Sequence, residues 1–174
     1  MNILALSGSL RAASENTRLL RALACLAPAG MQVVVYSGLG ELPLFNPDIE
    51  FPNPPAVAAL REAINTADAV VIASPEYAHG VTAVIKNMLD WMVGNESFVN
   101  KPVALLNAAP RATHAYLSLR ETVTMMSANV IDAPCITLAQ PITGMSEDEI
   151  VRIHTVVLTG VLDVLETSTK KEIP

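Results

Sequence analysis

A doubly wound α/β fold on a parallel sheet is what this sequence predicts, and three observations predict it. Short β-rich runs alternate with longer segments of helical periodicity along the chain. The β-rich runs are near-continuously apolar rather than alternating, as strands buried on both faces are. The chain of 174 residues is about the size of one domain, and 51% of it is apolar, enough for a core between two helical layers.

Each element follows in order. Residues 3–7 form a first strand, and residues 16–26 a helix, because Leu19, Leu20, Leu23 and Leu26 recur at helical spacing. Three valines within 32–36 make the second strand. A helix over 57–66 leads to an apolar strand at 69–73, and a helix over 81–93 to a strand at 102–106. A helix over 114–127 and a fifth strand at 136–138 come next. The closing helix, 147–165, opens with Ser146 and Glu149, a capping box in which each side chain bonds the other's backbone N–H. The polar tail, 167–174, reads as frayed.

Five such units in one domain, 1–174, imply a flavodoxin-like three-layer sandwich with a five-stranded parallel sheet in the order 2-1-3-4-5. Ligands of such sheets lie beyond the carboxyl ends of the strands, where the strand order reverses. That gathers the loops 8–17, 74–80 and 107–114. The segment 38–55 departs from short-loop expectation, with Pro43, Pro47, Pro52, Pro54 and Pro55 around Leu42, Leu44 and Phe45. It reads as an excursion over the site or into a subunit contact.

Composition excludes several classes. Net charge is −6 with no basic stripe, which excludes nucleic acid as a partner. Cys25 and Cys135 form no CxxC or metal-ligand spacing and read as small core hydrophobes. No His/Cys/Asp/Glu cluster has metal spacing, so no metal is expected, and no Ser-His-Asp order stands out. His154 reads as a surface residue of the last helix. The start of the chain lacks a basic n-region and no apolar run reaches membrane-spanning length, so a cytoplasmic location is expected.

The first loop, Gly8-Ser9-Leu10-Arg11-Ala12-Ala13-Ser14-Glu15-Asn16-Thr17, joins a strand to a helix. Unpaired N–H groups and the positive end of a helix dipole favour an anion there, and hydroxyls and a guanidinium add donors. No Gly-Lys-Ser/Thr follows, so the loop is not a P-loop. Gly8 is its lone glycine, so it is not a dinucleotide fingerprint. A hydroxyl-rich phosphate loop remains, beside the plainer alternative of a βα turn capped by Ser14. In the second loop, Ser74-Pro75-Glu76-Tyr77-Ala78-His79-Gly80, Pro75 and Gly80 fix a turn whose amides can face a ligand. Tyr77 offers a flat apolar surface and a hydroxyl.

Gly8-Ser9-Leu10-Arg11 with Ser14 and Asn16, then Ser-Pro-Glu-Tyr from Ser74, then Lys86-Asn87-Met88-Leu89-Asp90-Trp91, resembles the NADPH-dependent FMN reductase family, which includes quinone, azo-dye and chromate reductases. The resemblance runs from Met1 to about Leu138. It implies non-covalent FMN, with Ser9, Arg11, Ser14, Asn16 and Thr17 on the phosphate and adjoining ribityl. Pro75, Glu76 and Tyr77 would run along the isoalloxazine edge, presenting backbone N–H groups. His79, Gly80, Asn107 and Arg111 would complete the cofactor contacts. By residue type, His79 is either a proton donor or a solvent-exposed loop histidine, and Arg111 and His114 either attract NADPH phosphate or are ordinary loop residues. The Glu76 side chain would meet a partner subunit's base.

The family implies a homodimer or homotetramer through helices 81–93 and 114–127, where Met88, Trp91, Met92, Met125 and Met126 form apolar patches that otherwise belong to the core. The implied activity is FMN-dependent NAD(P)H oxidation with NADPH or NADH as donor. A quinone, azo compound, free flavin or metal oxyanion accepts electrons in a ping-pong cycle, and no catalytic side chain is expected. A flavodoxin-like electron carrier and a flavin-fold binding module are the alternatives. The sequence departs from the family at Ala78-His79, where Asn is common, and in the third loop, which lacks Ser and paired Gly.

Overall fold

The computed structural model describes residues 1–109, 113–131, 138 and 140–170. Strands β1 (Asn2–Ser7), β2 (Gln32–Val35), β3 (Ala69–Ala73), β4 (Pro102–Leu106) and β5 (Asn129–Val130) form one parallel sheet in the order β2-β1-β3-β4-β5. The order is the expected one. Helices α1 (Glu15–Cys25), α2 (Pro55–Thr66), α3 (Ala83–Val93), α4 (His114–Met125) and α5 (Glu147–Lys170) cover its two faces.

Strand alternation sorts the core into two layers. Ile3, Ala5, Val71 and Ala73 pack with α1 and α5 through Leu19, Leu23, Leu158 and Leu162. Leu4, Leu6, Val70 and Ile72 pack with α2 and α3 through Leu60, Ile64, Met88 and Trp91. All five residues of β3 are buried, so its apolar run serves both layers.

Local chemistry starts the helices where it should. Ser14 Oγ accepts from Thr17 N at 3.2 Å and caps α1. Pro55 opens α2, where its missing N–H would have had no partner. At α5 the capping box closes: Ser146 N donates to Glu149 Oε2 at 2.9 Å and Glu149 N donates to Ser146 Oγ at 3.3 Å. The hydrogen bonds from Ser146 hold the Glu149 carboxyl below its ordinary pKa.

Several expectations are corrected. Among the described residues the fifth strand is Asn129–Val130, paired with Pro102 and Val103; it was expected at 136–138. Leu138 lies outside any strand, and residues 136 and 137 fall outside the described ones. Helix α5 runs on through Lys170, where a frayed tail was expected. Cys25 is exposed, because α1 buries the stripe of Leu19, Leu20 and Leu23 and Cys25 lies off it; Cys135 is outside the described residues. His154 is buried, since it shares the α5 stripe with Ile150 and Leu158. Met88, Trp91 and Met92 are buried within the chain's own core, which removes them from any subunit face. Met125, at 75% exposure, stays available.

The 38–55 segment is fastened to α3. Asn87 Oδ1 accepts from Phe45 N at 2.8 Å, and Asn87 Nδ2 and Trp91 Nε1 both donate to Pro43 O, at 2.9 and 2.8 Å. Phe45 sits edge-on to Trp91 with centroids 5.1 Å apart. Leu44 and Phe51 point out, 81% and 82% exposed.

Candidate functional site

The strand order brings the first two loops into contact. Gly8 N donates to Ala73 O at 2.8 Å, stitching the end of β1 to the end of β3. A Cβ on Gly8 would lie 2.5 Å from Ser74 Oγ and 2.9 Å from Ile85 Cγ1, so no other residue admits this approach. The third loop joins them through a cavity of about 10 Å³, room for one water, lined in part by Ser74, Asn107 and Tyr116.

In the first loop, Ser14 is buried and its Oγ is engaged as the α1 cap, so its hydroxyl proton is what it has left to donate. The plainer alternative for Ser14 therefore holds, and it does not exclude the other. Thr17 Oγ1 and Ser7 Oγ share a hydrogen bond of 2.8 Å. Ser9 Oγ accepts from Arg11 N at 3.4 Å. Asn16 is buried with no partner on Oδ1. The amides of Leu10, Ala12 and Ala13 and the Arg11 guanidinium make no hydrogen bond with any described residue. Beside them opens a cleft of about 310 Å³, lined by Ser9, Arg11, Thr17 and Arg21 and, from the β2 side, by Tyr36 and Ser37. Leu10 closes its rim against Gly40, whose Cβ would sit 3.2 Å from Leu10 Cδ2. Burial, helped by the Glu41 carboxylate, holds the Tyr36 hydroxyl protonated to a higher pH than usual.

In the second loop, Tyr77 N donates to Gly80 O at 3.1 Å and Gly80 N to Tyr77 O at 2.9 Å, closing a two-residue turn. Its central residues are left-handed, Ala78 at φ 49° and His79 at φ 61°. Neither is the Gly or Asn such turns prefer, and each left-handed residue costs about 1–2 kcal/mol. The expected row of amides is therefore reduced. Pro75 has no N–H and those of Tyr77 and Gly80 are spent inside the turn, leaving the amides of Glu76, Ala78 and His79 unbonded among the described residues.

The Glu76 carboxylate is used within the chain. Its Oε2 accepts from Ala115 N at 2.7 Å, in the first turn of α4. Thr113, the N-cap residue of α4, supplies no side-chain bond, so Glu76 caps the helix from another loop. His79 stacks on His114, the first residue of α4, with centroids 4.0 Å apart and planes 18° from parallel. Tyr77 is 64% exposed beside them. Asn107 turns inward: its Oδ1 accepts from Ala109 N at 3.0 Å and shapes its own loop. Arg111 lies outside the described residues. Tyr36, Ser37 and Arg21 escaped the sequence reading of the site, although β2 beside β1 in the sheet order was the signal for Tyr36 and Ser37, and helical spacing from Thr17 the signal for Arg21.

A flavin mononucleotide presents a dianionic phosphate, a polar ribityl chain and a flat ring with acceptor atoms along one edge. The donor set fits it: three free amides and an unpaired guanidinium at the α1 N-terminus, then three free amides along the next loop. The buried, unpartnered Asn16 Oδ1 adds an acceptor for a hydroxyl. Fold and site together define a flavodoxin-like flavoprotein.

Comparison with known proteins narrows this. The model of the NADPH-dependent FMN reductase family matches residues 1–141. An NAD(P)H-dependent FMN reductase of Pseudomonas aeruginosa is 34% identical over 140 residues, covering 77% of this chain and 75% of its own length. A quinone reductase of Escherichia coli strain K12 is 31% identical over 141 residues, covering 77% and 75%. The flavoenzyme NAD(P)H:(acceptor) oxidoreductase FerB of Paracoccus denitrificans shares the fold with a TM-score of 0.82 at 24% identity, over 98% of this chain and 97% of that one. The chain belongs to the NADPH-dependent FMN reductase family. It is an oxidoreductase that uses FMN and NAD(P)H.

Proposed function

We propose that this single-domain protein oxidises NAD(P)H and passes the electrons to small acceptors such as quinones, azo compounds or free flavin. Donor and acceptor occupy one site in turn, a ping-pong cycle. The observation that carries the reading is the first loop, where unbonded amides and the Arg11 guanidinium converge beside a 310 Å³ cleft. Bound FMN supplies the hydride and electron chemistry that amino-acid side chains lack.

The protein's part is binding and orientation. Ser9, Arg11, Ser14 and Thr17 hold the phosphate with hydroxyl and guanidinium donors, and Asn16 meets the ribityl. Glu76, Ala78 and His79 offer their amides to the ring edge, where donors stabilise an electron-rich flavin. Pro75 and Gly80 shape that loop, Tyr77 lays its ring beside it, and Asn107 forms the far wall.

Subunits associate as a homodimer or homotetramer through α3 and α4, whose Val93, Leu117 and Met125 are 63%, 61% and 75% exposed. No described helix is long and apolar enough to cross a membrane, and the net charge of −6 suits a cytoplasmic enzyme.

The test mixes FMN-loaded protein with NADPH, then NADH, without oxygen, and follows flavin absorbance near its visible maximum. Bleaching, reversed by a quinone with parallel-line kinetics, is expected. An unbleached flavin sinks the oxidoreductase reading and favours an electron carrier fed by a protein partner. A protein that takes up no FMN favours a binding module.

A further inference from the structure

We infer that His79 and His114 form a ring clamp that holds the left-handed turn from Tyr77 to Gly80 against the start of α4, and that this clamp positions the amides facing the flavin. The inference rests on the proposed placement of FMN along that loop.

The turn needs an outside hold. Its two central residues are both left-handed, and neither is glycine or asparagine. The Ala78 methyl can bond nothing, so no side chain in the turn stabilises the shape locally. Within the turn there are two backbone bonds, between Tyr77 and Gly80. Both bonds lie at its base, and neither touches the strained pair.

The hold is found across the site. The His79 ring lies on the His114 ring at 4.0 Å and 18°. Neither imidazole makes a hydrogen bond or ion pair with any described residue, so the stack is what fixes both rings. His114 opens α4, and the next amide in that helix, Ala115 N, is bonded to Glu76 at 2.7 Å. The loop is therefore fastened to α4 at two points, on either side of Tyr77. A carboxylate holds the near side and a ring stack the far side. Between them lie the free amides of Glu76, Ala78 and His79, whose direction the clamp sets.

His114 is accordingly a positioning residue, acting through His79. The chemistry also explains how this sequence tolerates Ala78-His79. Alanine does not favour the left-handed region, and a partner ring at the start of α4 offsets the strain.

The experiment uses the full chain. His114→Ala removes one ring and leaves the turn and every residue proposed to hold FMN in place. Amide hydrogen exchange at Tyr77 and Gly80 is expected to quicken about ten-fold, near the upper end of what an aromatic pair contributes. Amides of β1 and β3 should keep their protection. The Kd for FMN, read by fluorescence titration, is expected to rise by a similar factor. His114→Phe restores a flat ring and should restore both readouts. Adding His79→Asn to His114→Ala should return the turn's exchange toward its original rate, since Asn takes the left-handed conformation without help.

Unchanged exchange in His114→Ala overturns the clamp, as does a failure of His114→Phe to restore it. Faster exchange with an unchanged FMN Kd overturns the positioning role. If the unaltered protein binds no FMN, the flavin reading fails and the exchange data still judge the clamp.

Discussion

Arg11 holds a guanidinium with no protein partner among the described residues, at the mouth of a cleft and one turn ahead of a helix N-terminus. An arginine placed so has an anion as its natural partner. Arg11→Ala should raise the FMN Kd by about 10- to 100-fold, the worth of hydrogen bonds to a charged group. Titration of the apoprotein checks this, and the loss should shrink as salt rises. His154 makes a different kind of residue-scale statement. It is 3% exposed, its Nε2 has no partner, and burial lowers its pKa from the ordinary 6.5. The unfolded chain therefore takes up a proton at a higher pH than the folded one. Stability from this site is fully present above pH 6.5 and is lost as the pH falls from there toward the lowered folded value. The loss is at most about 1.4 kcal/mol per pH unit. Urea unfolding at pH 7.5 and 5.5 should show this fall, and His154→Gln should flatten it.

Between elements, the informative contacts are those that one segment makes for another. The N-terminus of α4 is capped by Glu76, 39 residues away, so the second loop is as much part of that helix as of β3. Glu76→Ala should destabilise the protein by about 0.5–2 kcal/mol, as loss of an N-cap does. Glu76→Gln keeps an acceptor and should lose less; thermal unfolding separates the two. The 38–55 excursion shows the same logic, being held by Asn87 and Trp91 of α3. Asn87→Ala removes the partner of the solvent-exposed Phe45 amide and should cost about 0.5–1.5 kcal/mol. Proteolysis at the exposed Leu44 and Phe51 should quicken in step. A variant no more sensitive than the parent would show that Trp91 alone secures the loop.

For the whole molecule, the question is how the chain meets another copy of itself. With Met88, Trp91 and Met92 committed to the core, the exposed apolar groups of α3 and α4 are Val93, Leu117 and Met125. Leu117→Glu combined with Met125→Glu should convert an oligomer to a monomer in sedimentation velocity while leaving helical content unchanged. A parent protein that sediments as a monomer would remove the association proposal and leave the fold untouched.

The alternation of apolar strands with periodic helices dictated a parallel sheet and, with it, the strand order and the meeting place of the loops. Hydroxyls, Arg11 and a capping serine at a strand–helix junction made the first loop legible, because that chemistry is local. The stripe of α5 was misread at His154, which stands four residues from both Ile150 and Leu158 and shares their burial. A two-residue strand carries no period, so β5 was set by the edge of β4 that it pairs with. Sequence distance hid the rest. Glu76 finding Ala115, His79 finding His114 and Asn87 finding Pro43 are pairings of groups whose partners are chosen by folding. Local sequence determines which groups can donate, accept or bury; the packed sheet decides which of them face one another.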